Sequence, residues 1–113
     1  MKARTLTIAL TTVADGAAAD RITRTLLEER LVGCINRVPV QSSYWWQGRI
    51  EQGEELLLVM KTADDLIDDL RQRIQELSPY QVPEFVALAE TVTSPSYLAW
   101  LLESCPVRGR VPR

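Results

Sequence analysis

Hydrophobic and polar residues alternate near the start of the chain and then follow a helical period. Leu6, Ile8 and Leu10 lie on one face of the first segment, with alanine and threonine between them, which predicts a β-strand. We expect Asp15 to cap the helix that follows, and Gly33 to end it in the left-handed conformation that helix ends favour. The apolar stripe of this helix is formed by Ala18, Ile22, Leu26, Leu27 and Leu31.

The middle of the chain has the pattern of a long, bent β-hairpin. Gln47-Gly48 predicts a tight turn, because glycine readily takes a positive φ. Pro39 lacks a ladder donor and Gly53 weakens regular pairing, so both are expected kink or bulge positions. The β-like stretches that flank the turn are 34–40, 42–46, 49–51 and 54–62.

Apolar residues then return to a helical period. We expect a second helix to begin at Thr62, with Thr62 and Asp65 as a variant capping box, and to end at Ser78-Pro79. Its apolar stripe is formed by Leu66, Leu70, Ile74 and Leu77. Four acidic residues in its first turns indicate a solvated face with favourable charge at a helix N-terminus, rather than a metal site: Asp64, Asp65, Asp68 and Asp69.

The end of the chain predicts a further strand and a last helix. Segment 83–92 has the pattern of a strand. Ser94 is the expected N-cap of the last helix and Pro95 its first residue, and we expect this helix to end at Cys105-Pro106. The strand places Val86, Leu88 and Val92 on one face, and the helix has Tyr97, Leu98, Leu101 and Leu102 on its apolar side.

The order of elements predicts the fold class. A β-α-β-β-α-β order with an added C-terminal helix is typical of an α+β, ferredoxin-like fold, in which helices cover one face of an antiparallel sheet. The other sheet face must then be wet or covered by something else. We expect one domain over 1–105 and a flexible C-terminal tail over 106–113, which is rich in arginine.

Composition excludes several classes of function. The 113 residues contain no histidine, which excludes catalytic Ser-His and Cys-His pairs and imidazole metal sites. The net charge of −2 argues against a nucleic-acid partner. Two cysteines, Cys34 and Cys105, are too few for a disulfide framework and indicate reduced thiols, with a single bridge as the alternative. No apolar run approaches the length of a membrane span, so we expect a cytoplasmic protein that does not contact a membrane.

Several motifs together resemble the CutA family of divalent-cation tolerance proteins. They arrive in the family's order along nearly the whole chain: Cys34-Ile35-Asn36, Ser43 to Ile50, Glu54 to Thr62, Pro79 to Glu84, and Tyr97 to Leu101. The resemblance implies a ferredoxin-like homotrimer similar to that of the PII signalling proteins, with clefts between subunits. It also implies a link to tolerance of copper and other divalent cations, and copper binding.

Two positions depart from the family's pattern. The family often has histidine immediately before the matching Pro-Tyr, where this chain has Ser78, and often has glutamate where this chain has Gln81. A hydroxyl is a poor copper ligand compared with an imidazole. A metal site that used either side chain would therefore be lost here.

Two residues are the candidate ligands for copper or another divalent cation. Cys34 supplies a thiolate, which suits soft Cu(I); the alternative is a buried apolar cysteine at a helix-to-strand junction. Glu84, at the predicted start of a strand, is either a carboxylate ligand in a cleft or a partner in an interchain salt bridge. One cysteine per chain binds metal weakly unless subunits share the ion.

The candidate ligand-cleft residues are Lys61, Tyr80, Glu84 and Trp46. They allow a rival function, a sensor that binds a small anionic metabolite between subunits. Lys61 would meet the anion or pair with Glu84; a lysine with only its apolar stem buried is the alternative. Nothing in the residues supports an enzyme that uses Glu84 and Tyr80 as acid and base. We therefore expect a binding or regulatory scaffold with no catalytic residues and no organic cofactor.

Tyr44, Trp45 and Trp46 are predicted interface residues. Adjacent strand residues point to opposite faces, so one tryptophan of the pair would face water in a single chain. Aromatic residues are enriched at interface cores. This argument for subunit contact does not depend on the family resemblance.

Overall fold

The structure is a computed structural model and describes residues 3–109. Its elements follow the predicted order, β-α-β-β-α-β with a third helix at the end: β1 (Leu6–Val13), α1 (Gly16–Glu28), β2 (Cys34–Trp46), β3 (Arg49–Ala63), α2 (Ile67–Leu77), β4 (Val86–Leu88) and α3 (Pro95–Ser104). A short 3₁₀ turn, Asp64–Leu66, joins β3 to α2. Among these residues no helix has the length and apolar character needed to cross a membrane.

The strands form one antiparallel sheet in the order β2-β3-β1-β4. Of β3, only the second half, from Leu56 to Ala63, pairs with β1. The first half of β3 pairs with β2 alone, up to the Trp46–Arg49 pair. Residues 40–55 therefore project from the sheet as a two-stranded ribbon, called the hairpin arm here, and the molecule is 47 Å in its longest dimension.

Pairing along the hairpin is uninterrupted, so the expected bulges are absent from it. Pro39 pairs with Leu56 and Gly53 with Ser42 in one continuous register. Pro39 is tolerated because β2 is an edge strand. Proline has no backbone N–H to donate, and an edge strand has a neighbouring strand on one side only. The predicted turn is confirmed: Gln47 and Gly48 have φ of 51° and 78°, which is the type I′ conformation.

α1 begins as predicted but ends differently. Asp15 Oδ1 accepts a hydrogen bond from the Ala18 N–H at 2.9 Å, which confirms the cap. The helix ends at Glu28, and Arg30 has the positive φ of 60° that was expected at Gly33. Gly33 is needed for close packing instead, because a Cβ there would lie 2.7 Å from Leu101 Cδ1.

The predicted capping box of α2 is wrong. Thr62 belongs to β3 and is fully buried, and its hydroxyl donates to the Leu31 carbonyl at 2.7 Å. Asp65 forms an ion pair with Arg4 at 2.8 Å. α2 begins only at Ile67, without a side-chain cap. Pairing of β3 with β1 extends through Thr62 to Ala63, and this long-range pairing overrides the local start signal.

Two hydrophobic clusters lie on opposite faces of the sheet. Ala9 and Val13 of β1 pack under α1 and α2, whereas Leu6 and Ile8 pack with α3. Since alternate residues of a strand point to opposite faces, α3 lies on the face opposite α1 and α2 and covers one end of it. The predicted stripe of α2 is confirmed for Leu70 and Ile74, which are buried in the cluster under α1 and α2, and for Leu77, which is partly buried there. Leu66 lies in the 3₁₀ turn and packs in the other cluster, with Leu6 and Leu101.

The last strand is shorter than predicted. β4 contains only Val86–Leu88 and pairs with β1 at the sheet edge. Glu90 takes a positive φ of 60°, and Val92 is fully exposed. In the predicted tail, Arg108 donates to the Glu29 carbonyl at 2.9 Å, and residues 110–113 lie outside the described part of the chain.

Candidate functional site

A cavity of about 840 Å³ lies between the hairpin arm and the segment that precedes β4. One side is formed by Gln41–Trp46 of the arm and the other by Tyr80–Glu84. Glu55 of β3 and Thr12 of β1 complete the lining. The cavity exists because the arm extends past the end of β1 and the chain after α2 crosses beside it.

Tyr80 and Glu55 join the two sides of the cavity. The Tyr80 hydroxyl donates to Glu55 Oε2 at 2.6 Å. Burial and this hydrogen bond to a carboxylate both raise the pKa of Tyr80 above its ordinary value. The Ser78 hydroxyl, at the position where the family resemblance led us to expect histidine, accepts a hydrogen bond from the Tyr80 N–H at 3.2 Å. The hydroxyl therefore supports the turn that presents Tyr80.

Glu84 is held at the cavity by its backbone. The buried Thr11 hydroxyl donates to the Glu84 carbonyl at 2.7 Å, which fixes the segment against β1. Although much of Glu84 is exposed, partial burial of its carboxyl and the negative charge of Glu55 raise its pKa. Within one chain, the lining of the cavity thus places two carboxyl groups, those of Glu55 and Glu84, near each other.

The structure divides the predicted site residues into two groups. Trp46, Tyr80 and Glu84 line the cavity together. Lys61 is six residues beyond Glu55 on β3, roughly 20 Å along an extended strand, and its ammonium donates to Asn36 Oδ1. In one chain, therefore, Lys61 does not take part in the cavity.

Cys34 lies beside Lys61, at the end of the sheet away from the cavity. It is half-buried, pairs with Lys61 across the strands, and its Sγ is 3.7 Å from Asn36 Oδ1. Burial, and then the neighbouring Cys34 thiol, raise the pKa of Tyr97 on α3. Cys34 and Glu84 are not brought together within one chain. Over residues 3–109, no three Asp, Glu or Cys side chains are grouped to hold a metal ion.

The sheet face opposite α1 and α2 is apolar and only partly covered. α3 packs over one end of it, against Leu6 and Ala63. Beyond α3 the face continues with side chains that are exposed or half-buried, called the open sheet face here: Ile8, Leu10, Val38, Leu57, Val59, Val86 and Leu88. A contiguous apolar surface of this kind is typical of a contact with another molecule.

The predicted interface aromatics lie near the tip of the hairpin arm. Trp45 is 72% exposed and Tyr44 47% exposed, whereas Trp46 is half-buried. One tryptophan of the adjacent pair thus faces solvent in a single chain, as the alternation of strand side chains requires.

Comparison with known proteins identifies the family. Residues 7–104 match the family model described as CutA1 divalent ion tolerance protein. The chain belongs to the CutA1 family. It is 40% identical over 96 residues to the divalent-cation tolerance protein CutA of Pyrococcus horikoshii, which covers 85% of this chain and 94% of that protein.

Solved CutA structures share the fold. The crystal structure of Cut A1 from Thermus thermophilus superposes with a TM-score of 0.85 at 40% identity, over 89% of this chain and 99% of that chain. A CutA from Archaeoglobus fulgidus that is described as periplasmic gives 0.86 at 27% identity, over the same shares of the two chains. The description of the CutA1 family names tolerance of divalent ions.

Sequence reasoning missed Glu55 as a member of the cavity. Glu55 pairs with Val40 in the hairpin and belongs to the same side of β3 as Leu57 and Val59. Glu51 and Lys61 lie on the same side of β3, so a charge at this alternation did not by itself distinguish Glu55. The partner, Tyr80, is 25 residues away in sequence and could not be identified without the fold.

Proposed function

We propose that this CutA1-family chain acts in divalent-cation tolerance as a cytoplasmic homotrimeric binding scaffold, without catalysis of its own. The observation that supports this proposal is the open sheet face. Its apolar side chains include Val38, Val86 and Leu88, which are 42%, 45% and 48% exposed. Covering such side chains contributes roughly 25 cal/mol for each Å² removed from water.

The hairpin arm supports the same assembly. Its two strands pair with each other, so the outer edges of residues 40–55 have no β1 or β4 partner. Exposed strand edges of this kind are templates for pairing with another chain. The arms of three subunits can thus cover one another's edges while the open sheet faces meet.

Native mass spectrometry at micromolar concentration tests the assembly. We expect a species of three times the chain mass of 12.8 kDa, stable to dilution because the contact is apolar. A single-chain mass under these conditions would contradict the proposal. The measurement uses the full chain without metal, so it tests assembly separately from cation binding.

Copper binding at Cys34 is the second part of the proposal. A half-buried thiol at the margin of the open sheet face remains accessible to a soft cation. Because residues 3–109 group no three Asp, Glu or Cys side chains around a metal position, the ion would have to be shared between subunits. Glu84, which lies at the cavity, would reach it only from a neighbouring chain.

Competition with a chromophoric Cu(I) chelator tests Cys34 directly. We expect the trimer to retain Cu(I) and Cys34→Ser to lose it. Cys105→Ser is the matched control, because the Cys105 Sγ is buried and donates to the Leu101 carbonyl at 3.1 Å. Unchanged Cu(I) affinity in Cys34→Ser would remove Cys34 as a ligand and leave the assembly proposal intact.

The rival function, a sensor of an anionic metabolite, is less well supported by the geometry. The cavity lining contains the carboxylates Glu55 and Glu84, and Lys61 lies elsewhere on β3 with its ammonium on Asn36. An anion placed in this cavity would be repelled by both carboxylates.

A further inference from the structure

Arg30 has a backbone conformation that its residue type does not favour. It follows the end of α1, where the Leu31 N–H donates to the Leu26 carbonyl at 3.0 Å. The Arg30 N–H donates to the Leu27 carbonyl at 3.1 Å. These two bonds define a Schellman motif, whose left-handed position is usually glycine. Arg30 occupies that position with φ of 60°, where a residue with a Cβ is strained. Such a residue indicates that its side chain has a specific use.

The Arg30 guanidinium reaches the C-terminal end of α3. Its Nη1 donates to the Ser104 carbonyl at 3.2 Å, one of the last carbonyls of the helix, which the helix itself leaves unpaired. The chain after α3 makes a similar contact in return. Arg108 Nη1 donates to the Glu29 carbonyl at 2.9 Å, and its Nε lies 3.6 Å from Asp69 Oδ2. The ends of α1 and α3, which lie on opposite faces of the sheet, are thus joined by Arg30 and Arg108, called the arginine clasp here.

A third arginine holds the next carbonyl of the chain. Arg4 Nη2 donates to the Cys105 carbonyl at 2.8 Å. The Arg4 guanidinium also forms two hydrogen bonds with the Asp65 carboxylate, at 2.8 and 2.9 Å. Positive charge at a helix C-terminus is favoured by the helix dipole. Arginines from three separate places in the chain therefore fix the C-terminal end of α3.

The N-terminal end of α3 is held less firmly. The helix is 10 residues long, and isolated helices shorter than roughly 12–15 residues are only marginally stable in water. Within residues 3–109, its N-cap residue Ser94 makes no side-chain cap hydrogen bond, and Val92 just before it is fully exposed. The helix packs on the sheet through Leu101 and Cys105, which are fully buried. Its position thus depends on one apolar side and on the charged contacts at its C-terminal end.

We propose that α3 is a cover that opens locally as one unit, and that the arginine clasp holds it closed. Opening exposes the Cys105 thiol and uncovers Leu6 and Ala63, so the sheet presents a larger apolar surface. Segments of low local stability open without unfolding of the whole protein, and the clasp sets how often α3 does so. Every contact of the clasp lies within one chain, outside the open sheet face and the hairpin arm. The inference therefore goes beyond the scaffold proposal and does not depend on it.

Arg30→Gly separates the clasp from the cap of α1. Glycine relieves the strain at the left-handed position, which offsets the lost contact with Ser104, so the global free energy of unfolding should stay close to that of the parent. We expect N-ethylmaleimide to modify Cys105 about fivefold faster than in the parent, as read by mass spectrometry of the Cys105 peptide after labelling of the full chain. Amide exchange of α3 should accelerate by a similar factor, with that of α1 unchanged.

Arg108→Gln tests the other half of the clasp, and Arg24→Gln is its matched control. Arg108→Gln should also accelerate modification of Cys105, because the Glu29 carbonyl loses its donor. Arg24 is 80% exposed on α1 and pairs with Glu28 one turn away, so removal of its charge should leave the rate unchanged. Urea denaturation gives the global stability of each variant for comparison.

The proposal is wrong if Cys105 reacts at the parent rate in both Arg30→Gly and Arg108→Gln. It is also wrong if the faster reaction matches a loss of global stability, because Cys105 would then react from the unfolded chain. Equal acceleration of amide exchange in α1 and α3 would show that α3 is not a separate cover. The native mass of the parent is measured without these variants, so failure here leaves the scaffold proposal standing.

Discussion

Single threonine hydroxyls fix how the loops join the sheet. Thr11 donates to the Glu84 carbonyl at 2.7 Å, Thr62 to the Leu31 carbonyl at 2.7 Å, and Thr91 to the Leu6 carbonyl at 2.8 Å. Each bond satisfies a backbone carbonyl that the sheet ladder does not reach, and a buried carbonyl left unpaired costs about 1–3 kcal/mol. The cavity depends on one of them, since Thr11 holds the segment that carries Glu84.

Gly33→Ala should destabilise the protein. The new Cβ would lie 2.7 Å from Leu101 Cδ1 and 3.3 Å from Ser104 Cβ, and Leu101 is fully buried. We expect a loss of about 1–3 kcal/mol in the free energy of unfolding, measured by urea denaturation. Gly53→Ala is the control, because nothing lies within 4 Å of its Cβ position. Equal stability of the two variants would contradict the close packing of α3 on Gly33.

The Glu29–Arg73 pair should give a pH-dependent stability. The pKa of Glu29 is lowered, mainly by the hydrogen bond from Arg73, from its ordinary value of 4.5; the two side chains meet at 2.7 Å. A lowered folded-state pKa contributes stability above the unfolded value, and the contribution is lost as pH falls through the folded value. Glu29→Gln should therefore be less stable than the parent near neutral pH, with the gap closing below pH 4.5.

Thermal melts at several pH values measure this gap. Glu28→Gln is the matched control, because Glu28 pairs with Arg24 at 3.3 Å with both side chains largely exposed, where an ion pair contributes little. A gap for Glu29→Gln that persists unchanged into acid would show that the effect does not come from the carboxylate charge.

At the scale of elements, the hairpin arm is the feature on which the cavity depends. β2 and β3 are 13 and 15 residues long, longer than the usual strand of roughly 5–6 residues. β1, with 8 residues, accompanies β3 for only part of its length. The part of the hairpin that does not pair with β1 contributes the aromatic side of the cavity. The register between β2 and β3 therefore determines which side chains of the arm face the cavity.

Gly48→Ala should weaken the arm at its turn. Gly48 has φ of +78°, where an L-residue costs roughly 1–2 kcal/mol. We expect a loss of about that size in the free energy of unfolding, together with faster amide exchange at the arm tip. Gly53→Ala again serves as the control, since Gly53 lies in the same arm without a positive φ. Unaltered exchange in Gly48→Ala would contradict the type I′ turn.

At the scale of the whole molecule, the two faces of the sheet are covered unequally. α1 and α2 cover one face and bury a continuous core. α3 covers only one end of the other face, and Leu88 of β4 is left 48% exposed there. One chain thus has a complete hydrophobic core on one face of the sheet and an exposed apolar surface on the other. Such an exposed surface is typical of a contact with another molecule.

Leu88→Glu should prevent assembly while leaving the single chain folded. The side chain is exposed within one chain, so a charge there costs the fold little, but burying that charge between subunits is expensive. We expect a shift from trimer to single-chain mass in sedimentation. Leu27→Glu is the control, since Leu27 is 39% exposed on α1, away from the sheet. A trimer in Leu88→Glu would place the contact elsewhere.

The periodic segments could be predicted from sequence because their physics is local. Alternation in β1, the helical spacing of Leu70 and Ile74, and the Gln47-Gly48 turn each depend on neighbours a few residues apart, and the structure confirms them. The ferredoxin-like order followed from those elements. The ends of α1, α2 and β4 differ from the predicted ones, because a helix or strand ends where tertiary contacts make continuation unfavourable.

The sequence by itself determined the fold class, the family and the absence of imidazole chemistry, since these need only residue types and their spacing. Only the tertiary structure decided that Thr62 belongs to β3, that Gly33 serves close packing against Leu101, and that Lys61 lies away from the cavity. It also brought Glu55 to Tyr80. Each of these depends on contacts between distant segments, whose geometry is set when the sheet register and the helix positions are fixed together.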